Sequence, residues 1–313
     1  MQLGFGDGWI SPKLGQNAML ERLSAEVKWY RFEKVLNRLK PEGAGRPPFE
    51  PLLMLKALLL QQWWELSDAD LEEAINDRVS FRKFLGLSLE DASPDHTTLC
   101  RFRNRLVEEG LSEKLFSEFA RQLETRGLIL KRGTMVDASL VETPFRPPSE
   151  DGEREAVDED AALTARKGKQ GTHYGYKMHA GVDQQSRLIR RIKLTPANVN
   201  DTVIGDDLVC GDERAVYADK GYAKAARRLW LKSRGIKPRI MHKTWGGGPP
   251  LTHWQKRHNA LIALFRAEVE GVFATLKRWF GYDCVRYKGL ARNQSHLNLL
   301  ALAYNMKRAL ALT

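Results

Sequence analysis

The chain has 313 residues, of which 42% are hydrophobic, and this is enough for one large domain or two domains of ordinary size. Its 50 Lys and Arg residues outnumber its 39 Asp and Glu residues, and the resulting net charge of +11 favours a polyanionic partner over an acidic small molecule. The three cysteines are few and far apart, which argues against a disulfide framework or a zinc site and favours a reducing, cytoplasmic location.

Residues 18–127 carry helical periodicity and almost no strand signal. The longest apolar run, at 51–64, contains Lys56 and two glutamines and is too short to span a bilayer. The opening "MQLGFGDGWISPK" lacks a signal-peptide pattern, so no membrane partner is expected. Four helices are predicted, in "FEPLLMLKALLLQQWWEL", "SDADLEEAINDRVSFRKFLG" with Ser67 or Asp68 as N-cap, "SPDHTTLCRFRNRLVEEG" and "SEKLFSEFARQLETRG". We therefore expect an all-helical domain over residues 1–127.

From residue 128 the pattern changes to short β-rich runs with helices between and after them. A strand is predicted in "LILKRGTMVDASLVETP", a hairpin in "HYGYKMHAGVD" and "RLIRRIKLTPA", and further strands in "RAVYADKGYA" and "KPRIMHK". Helices are predicted in "AKAARRLWLKSRG", at about 253–280 and at 292–311. A polar segment at about 145–173 is predicted to be a solvated or partly disordered loop. We therefore expect residues 128–313 to form an α/β (α+β) domain, a mixed sheet covered by helices.

Two aspartates follow apolar strand residues, a position where a rigid sheet can hold a ligand-binding carboxylate beside solvent. Asp137 lies in "GTMVDASL" and Asp219 in "AVYADKGY"; taken singly, each could also be a hydrogen-bonded turn residue. Glu270 lies on the helix in "FRAEVEGVFATLKRWF". If this helix packs against the sheet, Glu270 could lie close to both aspartates. Such an oxygen-only donor set suits Mg²⁺ or Mn²⁺ better than zinc, and two such ions could support phosphodiester cleavage.

A charged stripe runs beside the apolar face of that helix. At about 100° per residue, Glu270 lies about 40° and Lys277 about 20° from Arg266 around the cylinder. Arg266 and Lys277 would then extend cationic contacts along a phosphate backbone on either side of the metals. The alternative is an i,i+4 surface pair of Arg266 with Glu270, which would contribute only about 0.3–0.5 kcal/mol.

Together, "VDASLVETP", "YGYKMHAGVD", "LTPANVNDT", "YADKGY" and "RAEVEGVFATLKRWFG" resemble bacterial insertion-sequence transposases of the DDE class, with an RNase H-like catalytic domain. The upstream "GRPPFEPLLMLKALLLQQWWELSDADLEEAINDRVSFRKFLGL" and "SPDHTTLCRFRNRL" resemble the helical N-terminal domain of the same family. The resemblance covers most of residues 40–310. It implies a transposase, with metal-dependent cleavage at the transposon ends followed by strand transfer into target DNA.

The resemblance assigns the metals, two Mg²⁺ or Mn²⁺ ions, to Asp137, Asp219 and Glu270. The family's helix signature is Tyr, two residues, Arg, three residues, Glu, six residues, Lys, and Arg266, Glu270 and Lys277 fit that spacing. The Tyr position falls on Ala263, so the tyrosine–phosphate contact is absent here or supplied by another residue.

Further DNA contacts are predicted outside this signature. Arg101 and Arg105 point away from the packing face of their helix and could meet phosphates or bases, although a solvated basic face is equally compatible. Lys177 could lie near a phosphate, while the histidines around it are expected to pack in the sheet. Trp279 could stack on a base or pack in the core.

The expected partners are double-stranded DNA, as transposon ends and target, and a second copy of the chain, because two ends must be synapsed. Two alternatives remain open from the residues. One is an RNase H-like endonuclease that cuts without joining, and the other is a non-catalytic DNA-binding protein derived from a transposase.

Overall fold

The computed structural model describes residues 13–39, 49–149, 155–165, 171–244 and 248–313. The chain forms two compact units, one of Met1–Thr125 with Asn298–Thr313 and the other of Arg126–Leu297. The last helix therefore begins in the second unit and ends in the first. As functional domains, residues 1–127 and 128–313 stay a prediction.

Amphipathic helices build the first unit, and their apolar faces meet in a core that includes Phe32, Leu55, Phe81 and Leu99. In chain order the helices are α1 (Ala18–Glu26), α2 (Trp29–Leu36), α3 (Pro51–Trp64), α4 (Asp68–Asp77), α5 (Val79–Leu85), α6 (His96–Glu108) and α7 (Leu111–Thr125). The helical character of this region is as predicted, and α1 and α2 add two helices that the periodicity did not delimit.

The segment predicted as one helix from Ser67 onward is two helices. Ser67 caps α4 as expected, because its side chain accepts from the Asp70 N–H and the Asp70 carboxylate accepts from the Ser67 N–H. At Arg78 the backbone is extended (φ −100°, ψ 107°), and α5 starts in a new direction. The break buries Phe84, which in a continuous helix would lie about 140° around the cylinder from the buried Leu71.

A six-stranded mixed sheet forms the centre of the second unit, as predicted. Strand β1 lies in the middle, antiparallel to β3 and parallel to β5, while β6 extends the parallel side and β2 and β4 both pair with β3. This antiparallel meander joined to parallel strands is the RNase H-like arrangement expected. The strands are β1 (Thr134–Glu142), β2 (Ala162–Ala165), β3 (Thr172–Asp183), β4 (Ile189–Pro196), β5 (Ala215–Ala218) and β6 (Lys237–Ile240).

Helices α8 (Asp201–Ile204), α9 (Ala225–Ser233) and α10 (His253–Trp279) accompany the sheet, and α11 (Leu290–Leu310) closes the described chain. Thr252 and Gln255 cap the start of α10 by exchanging side-chain and backbone hydrogen bonds. Within the described ranges, none of the helices has the length and apolar character that a membrane span requires.

The polar segment at 145–173 is more ordered than predicted in its described parts; residues 150–154 and 166–170 of it lie outside the description. Strand β2 pairs with β3, and Asp158 is fully buried. The Asp158 carboxylate accepts from the Tyr176 hydroxyl at 2.7 Å and from the Gly289 N–H at 3.2 Å. A charged residue in a polar sequence can be buried here because tertiary donors meet it.

Candidate active site

Parallel pairing of β1 with β5 sets two aspartates side by side. Val136 is the last partner of Ala218 in this pairing, so Asp137 and Asp219, the next residue of each segment, lie side by side just beyond it. The apolar β1 continues through the sheet, whereas the chain turns after β5, and Asp219 caps that turn by accepting from the Lys220 N–H at 2.6 Å. Asp137 thus sits within the central strand and Asp219 directly after the end of the neighbouring strand, at one place in the unit.

Arg266 on α10 meets both of these aspartates. Its Nη2 donates to Asp137 Oδ2 at 2.6 Å, and its Nη1 lies 3.8 Å from Asp219 Oδ1. Helix α10 delivers the guanidinium here because its neighbouring face is buried, including Val269 and Phe273. The side chain that the sequence suggested for phosphate contact therefore bridges the two carboxylates.

Burial and charge oppose each other at this cluster. Burial raises the pKa of Asp137, and the Arg266 guanidinium acts in the opposite direction by favouring the carboxylate. Burial lowers the pKa of Arg266, but the charges of Asp137, Asp219 and Glu270 outweigh it and leave that pKa raised. All three carboxylates predicted from the sequence thus act electrostatically on one guanidinium.

Glu270 lies one turn after Arg266 and is exposed, so it stands at the rim of the cluster and does not share the ion pair. Across the described ranges, no three His, Cys, Asp or Glu side chains are grouped closely enough to hold a metal ion. The structure brings Asp137 and Asp219 together, and it leaves Glu270 apart from them.

Two buried polar atoms at this cluster have no hydrogen-bond partner among the described residues, Nε of Arg266 and the hydroxyl of Tyr222. Burial, then the charges of Asp201 and Asp137, raise the pKa of Tyr222. These two N–H and O–H groups could donate to the oxygen atoms of a bound ligand. The carboxylate oxygens of Asp137 and Asp219 are the type of metal ligand that hard divalent cations prefer, so the site fits Mg²⁺ or Mn²⁺.

The two lysines predicted to contact DNA make contacts within the protein. Lys277 Nζ donates to the Leu140 carbonyl at 2.5 Å and so ties α10 to β1. Lys177 Nζ donates to the Val199 carbonyl at 2.8 Å and to Asp201 at 2.9 Å. Their ammonium groups have structural partners here, and a phosphate contact would have to share or replace them.

In the first unit, Arg101 and Arg105 are exposed on α6, while Leu99, Phe102 and Leu106 are buried, as the periodicity predicted. The two arginine side chains line a cavity of about 450 Å³. Their exposure is compatible with DNA contact and equally with a solvated basic face.

Trp279, at the end of α10, has 72% of its surface exposed, so the alternative of core packing is wrong for this residue. The indole ring is available for stacking.

The sequence interpretation missed Arg227, which is 3% exposed and hydrogen-bonded to the turn that follows Asp219. The signal was present: Arg227 precedes the apolar Leu231 by four residues, which places it on the buried face of α9.

A mixed sheet of this order, with aspartates on two neighbouring strands and an Arg-Glu-Lys helix against them, defines an RNase H-like domain of the DDE class. The chain belongs to the family described as Transposase DDE domain, whose model matches residues 129–306. A second model, Transposase domain (DUF772), matches residues 10–105. These matches confirm the predicted class, an insertion-sequence DDE transposase; the family implies nuclease and transposition activity and generally uses divalent metal ions.

The chain is also similar to solved transposase structures. One is the piggyBac transposase synaptic complex with hairpin DNA, at 10% identity and a TM-score of 0.44, covering 93% of this chain and 72% of that chain. Another is a pre-cleavage Mos1 transpososome, at 13% identity and a TM-score of 0.21, covering 97% and 98% of the two chains. The family assignment rests on the two family models.

Proposed function

We propose that the protein cuts DNA at the ends of its own element and transfers the freed ends into target DNA, with divalent cations held by Asp137, Asp219 and Glu270. The observation that carries this proposal is the convergence of Asp137 and Asp219 on the single guanidinium of Arg266, at 2.6 and 3.8 Å, with Glu270 one turn further along the same helix. Like charges gather around one cation only where the fold imposes it, and a metal site needs the same arrangement.

The chemistry consists of two phosphoryl transfers. In cleavage, a water oxygen bonds to phosphorus while the bond to the 3′-oxygen breaks; the phosphate stays on the 5′ side, and the departing 3′-oxygen takes up a proton that the water loses. In strand transfer, that 3′-oxygen bonds to a target phosphorus while the target's own 3′-oxygen leaves and takes up the proton. Bound divalent cations supply activation of the attacking oxygen and stabilisation of the leaving oxygen.

The chain's own residues orient the reacting groups. Asp137 is fixed within β1, Asp219 is held directly after the end of β5, and Glu270 stands at the rim of the site on α10, from which it would complete the ligand set. Arg266 balances the two aspartates and has an unpartnered buried Nε, which suits a phosphate oxygen of the bound strand. Lys277 holds α10 to β1 through the Leu140 carbonyl and so keeps Glu270 and Arg266 in register with Asp137.

The expected partners are the transposon ends, target DNA and a second copy of the chain, since both ends must be held together. Exposed Arg101 and Arg105 in the helical unit are available to the DNA backbone, and exposed Trp279 is available for base stacking. Lys177 would contribute to DNA contact only by exchanging its bond to Asp201 for a phosphate.

A strand-transfer assay tests this proposal. The full chain is incubated in Mg²⁺ with a fragment carrying the gene's natural flanking DNA, then with the same ends pre-cleaved, and joined products are measured. Asp137→Ala should bind the DNA but neither cut nor join it. Hydrolysis without joining would instead identify an RNase H-like endonuclease, and binding without cleavage by the wild-type chain would identify a non-catalytic DNA-binding protein. Normal cleavage by Asp137→Ala would refute the site.

A further inference from the structure

Arg227 is buried and its guanidinium joins two segments of the second unit. Its Nη1 donates to the Tyr222 carbonyl at 2.7 Å, its Nη2 to the Thr202 carbonyl at 2.5 Å, and its Nε to Asp206 Oδ1 at 2.5 Å. Tyr222 ends the short turn that begins directly after Asp219, whereas Thr202 and Asp206 lie in and just after α8. Three directed bonds from one planar group therefore lock the turn to α8.

A second contact joins the same two segments. The Thr202 hydroxyl donates to the Gly221 carbonyl at 2.7 Å, so two successive carbonyls of the turn are held, Gly221 by Thr202 of α8 and Tyr222 by Arg227 of α9. Gly205, just after α8, leaves room for the guanidinium, because a Cβ there would lie 2.7 Å from atoms of Arg227. The segment "NDTVIG" at 200–205 thus supports this turn through Thr202 and leaves room for Arg227 at Gly205.

The turn sets the position of Asp219. Asp219 follows the last residue of β5, its side chain is 32% exposed, and its Oδ1 accepts from the backbone N–H of Lys220 inside the turn. The Arg266 ion pair constrains it less than it constrains Asp137, at 3.8 Å against 2.6 Å. A carboxylate at a strand end without a close counter-charge depends on its backbone for placement.

We infer that Arg227 is a positioning residue that holds Asp219 beside Asp137, so that both carboxylates can share one divalent cation. This inference rests on the proposed function, because it assigns Arg227 to the metal site proposed there. Arg227 acts through the Lys220–Tyr222 turn and touches neither DNA nor metal. Lysine cannot replace it, since an ammonium on one stem does not supply a planar fork to three acceptors.

Arg228 is a matched control on the same helix. It donates from Nη2 to the carbonyls of Ile240 and Met241, at 2.7 and 3.1 Å, so it too is an arginine that ties backbone carbonyls to α9. Its acceptors lie at the end of β6 and not in the turn after Asp219. If substitutions on α9 act by disturbing its packing, replacing Arg227 or Arg228 should weaken metal binding alike. If they act through the position of Asp219, only replacement of Arg227 should weaken it.

The experiment is a Mn²⁺ titration of the full chain without DNA, with free Mn²⁺ followed by electron paramagnetic resonance. Arg227→Lys and Arg227→Gln should each weaken the Asp219-dependent binding about 10- to 100-fold, as loss of a residue that orients a metal ligand does. Arg228→Gln should bind as wild type does. In the DNA-cleavage assay, raising Mn²⁺ should restore much of the activity of Arg227→Lys.

A substitution at Gly205 tests the same role without changing Arg227, in case the Arg227 variants do not fold. Gly205→Ala keeps every donor of Arg227 but displaces the guanidinium, and it should weaken Mn²⁺ binding in the same direction by a smaller factor. Wild-type affinity in all folded Arg227 and Gly205 variants, with Asp219→Asn defective, would overturn the inference and leave the proposed metal site intact. If the wild-type protein shows no Mn²⁺ binding that depends on Asp219, the proposed metal site is refuted, and the role of Arg227 is refuted with it.

Discussion

Nη2 of Arg266 donates a hydrogen bond to Oδ2 of Asp137 at 2.6 Å, across 129 positions of sequence. The same guanidinium lies 3.8 Å from Asp219. Two neighbouring carboxylates, one of them the buried Asp137, would repel each other, and the shared cation offsets that repulsion. The fold therefore holds the carboxylates of Asp137 and Asp219 close together at the site where we propose that divalent cations bind.

Replacing Arg266 by methionine should destabilise the second unit. The change keeps most of the aliphatic stem but leaves the Asp137 carboxylate, with 12% of its side chain exposed, without its closest counter-charge. We expect a loss of about 1–3 kcal/mol in the free energy of unfolding, measured by urea denaturation of the full chain. In Asp137→Asn with Arg266→Met, part of that loss should be recovered because the unpaired buried charge of Asp137 is then removed as well.

The control for this prediction is Arg278→Met. Arg278 is an exposed arginine on the same helix, so its replacement should change stability by less than about 0.5 kcal/mol. Equal destabilisation by the Arg266 and Arg278 variants would show that the Asp137–Arg266 pair contributes no more than a surface charge does.

Neutralising Asp219 or Glu270, which are more exposed than Asp137, should lower the rate of DNA cleavage, and for Glu270 it should do so with little change in the free energy of unfolding. Asp219→Asn and Glu270→Gln should each lower DNA cleavage in Mg²⁺ about 100-fold or more, since removal of a direct ligand should cost at least as much as removal of a supporting residue. Because Glu270 is exposed, Glu270→Gln should leave the free energy of unfolding within about 0.5 kcal/mol of wild type.

Glu268→Gln is the matched control for Glu270→Gln, because Glu268 lies on another side of α10 and accepts from the Gln185 N–H at 3.1 Å. It should cleave DNA at close to the wild-type rate. A Glu270→Gln variant as active as Glu268→Gln would remove Glu270 from the proposed site and leave only the two aspartates.

The association of Asp137 and Asp219 with the sheet was predictable because it depends on local patterns: each follows a short apolar run that predicts a strand. Their side-by-side placement depends on strand pairing, since Asp137 lies within β1 and Asp219 follows the end of β5, and the pairing of Val136 with Ala218 brings them together. The flank of α10 was also predictable from its 3.6-residue period, and it carries Arg266 and Lys277 where expected.

Other features depend on contacts between distant residues, which a single sequence does not specify. The side chain of Arg266 could have reached a phosphate or a carboxylate from the same helical position, and only the packing of α10 on the sheet brings it to Asp137. The sequence around Asp158 predicts a loop because the groups that donate to its carboxylate, on Tyr176 and Gly289, are 18 and 131 positions away. The break at Arg78 arises because it lets Phe84 reach the core.

Stability should fall in mild acid through His179. This residue is buried on β3, and its Nε2 lies 2.9 Å from the Thr195 hydroxyl. The pKa of His179 is lowered to about 4, mainly by burial; the charge of Asp201 opposes this shift, and the charges of Lys177 and Lys193 contribute to it. The unfolded chain, with a pKa near 6.5, therefore binds a proton that the folded chain does not, so the His179 contribution is full above pH 6.5 and is lost as pH falls toward 4.

The expected loss from His179 is about 3 kcal/mol in the free energy of unfolding by pH 4. Urea denaturation of wild type and His179→Gln at several pH values between 7 and 4 measures it. Glutamine keeps a polar group opposite Thr195 but does not titrate, so the two proteins should converge in stability as the pH falls. Parallel pH profiles would show that His179 protonates equally in folded and unfolded chains.

Arg101 and Arg105 should contribute to DNA affinity through charge. Both are exposed on α6, and neither makes a side-chain hydrogen bond or ion pair with any residue the structure describes. If each contacts one phosphate, Arg101→Ala and Arg105→Ala should each weaken binding to duplex DNA similarly for all sequences and lower the salt slope of log K by about 1. Fluorescence anisotropy at several salt concentrations measures both quantities.

Arg121→Ala provides the comparison, because Arg121 is a 64% exposed arginine in the same unit and its loss changes net charge equally. A general effect of charge would lower affinity similarly in all three variants. An unchanged salt slope in Arg101→Ala and Arg105→Ala would mean that this face of α6 is only solvated, and the DNA contacts of the helical unit would have to lie elsewhere. A slope lowered in these two variants and not in Arg121→Ala would place the phosphate backbone along α6.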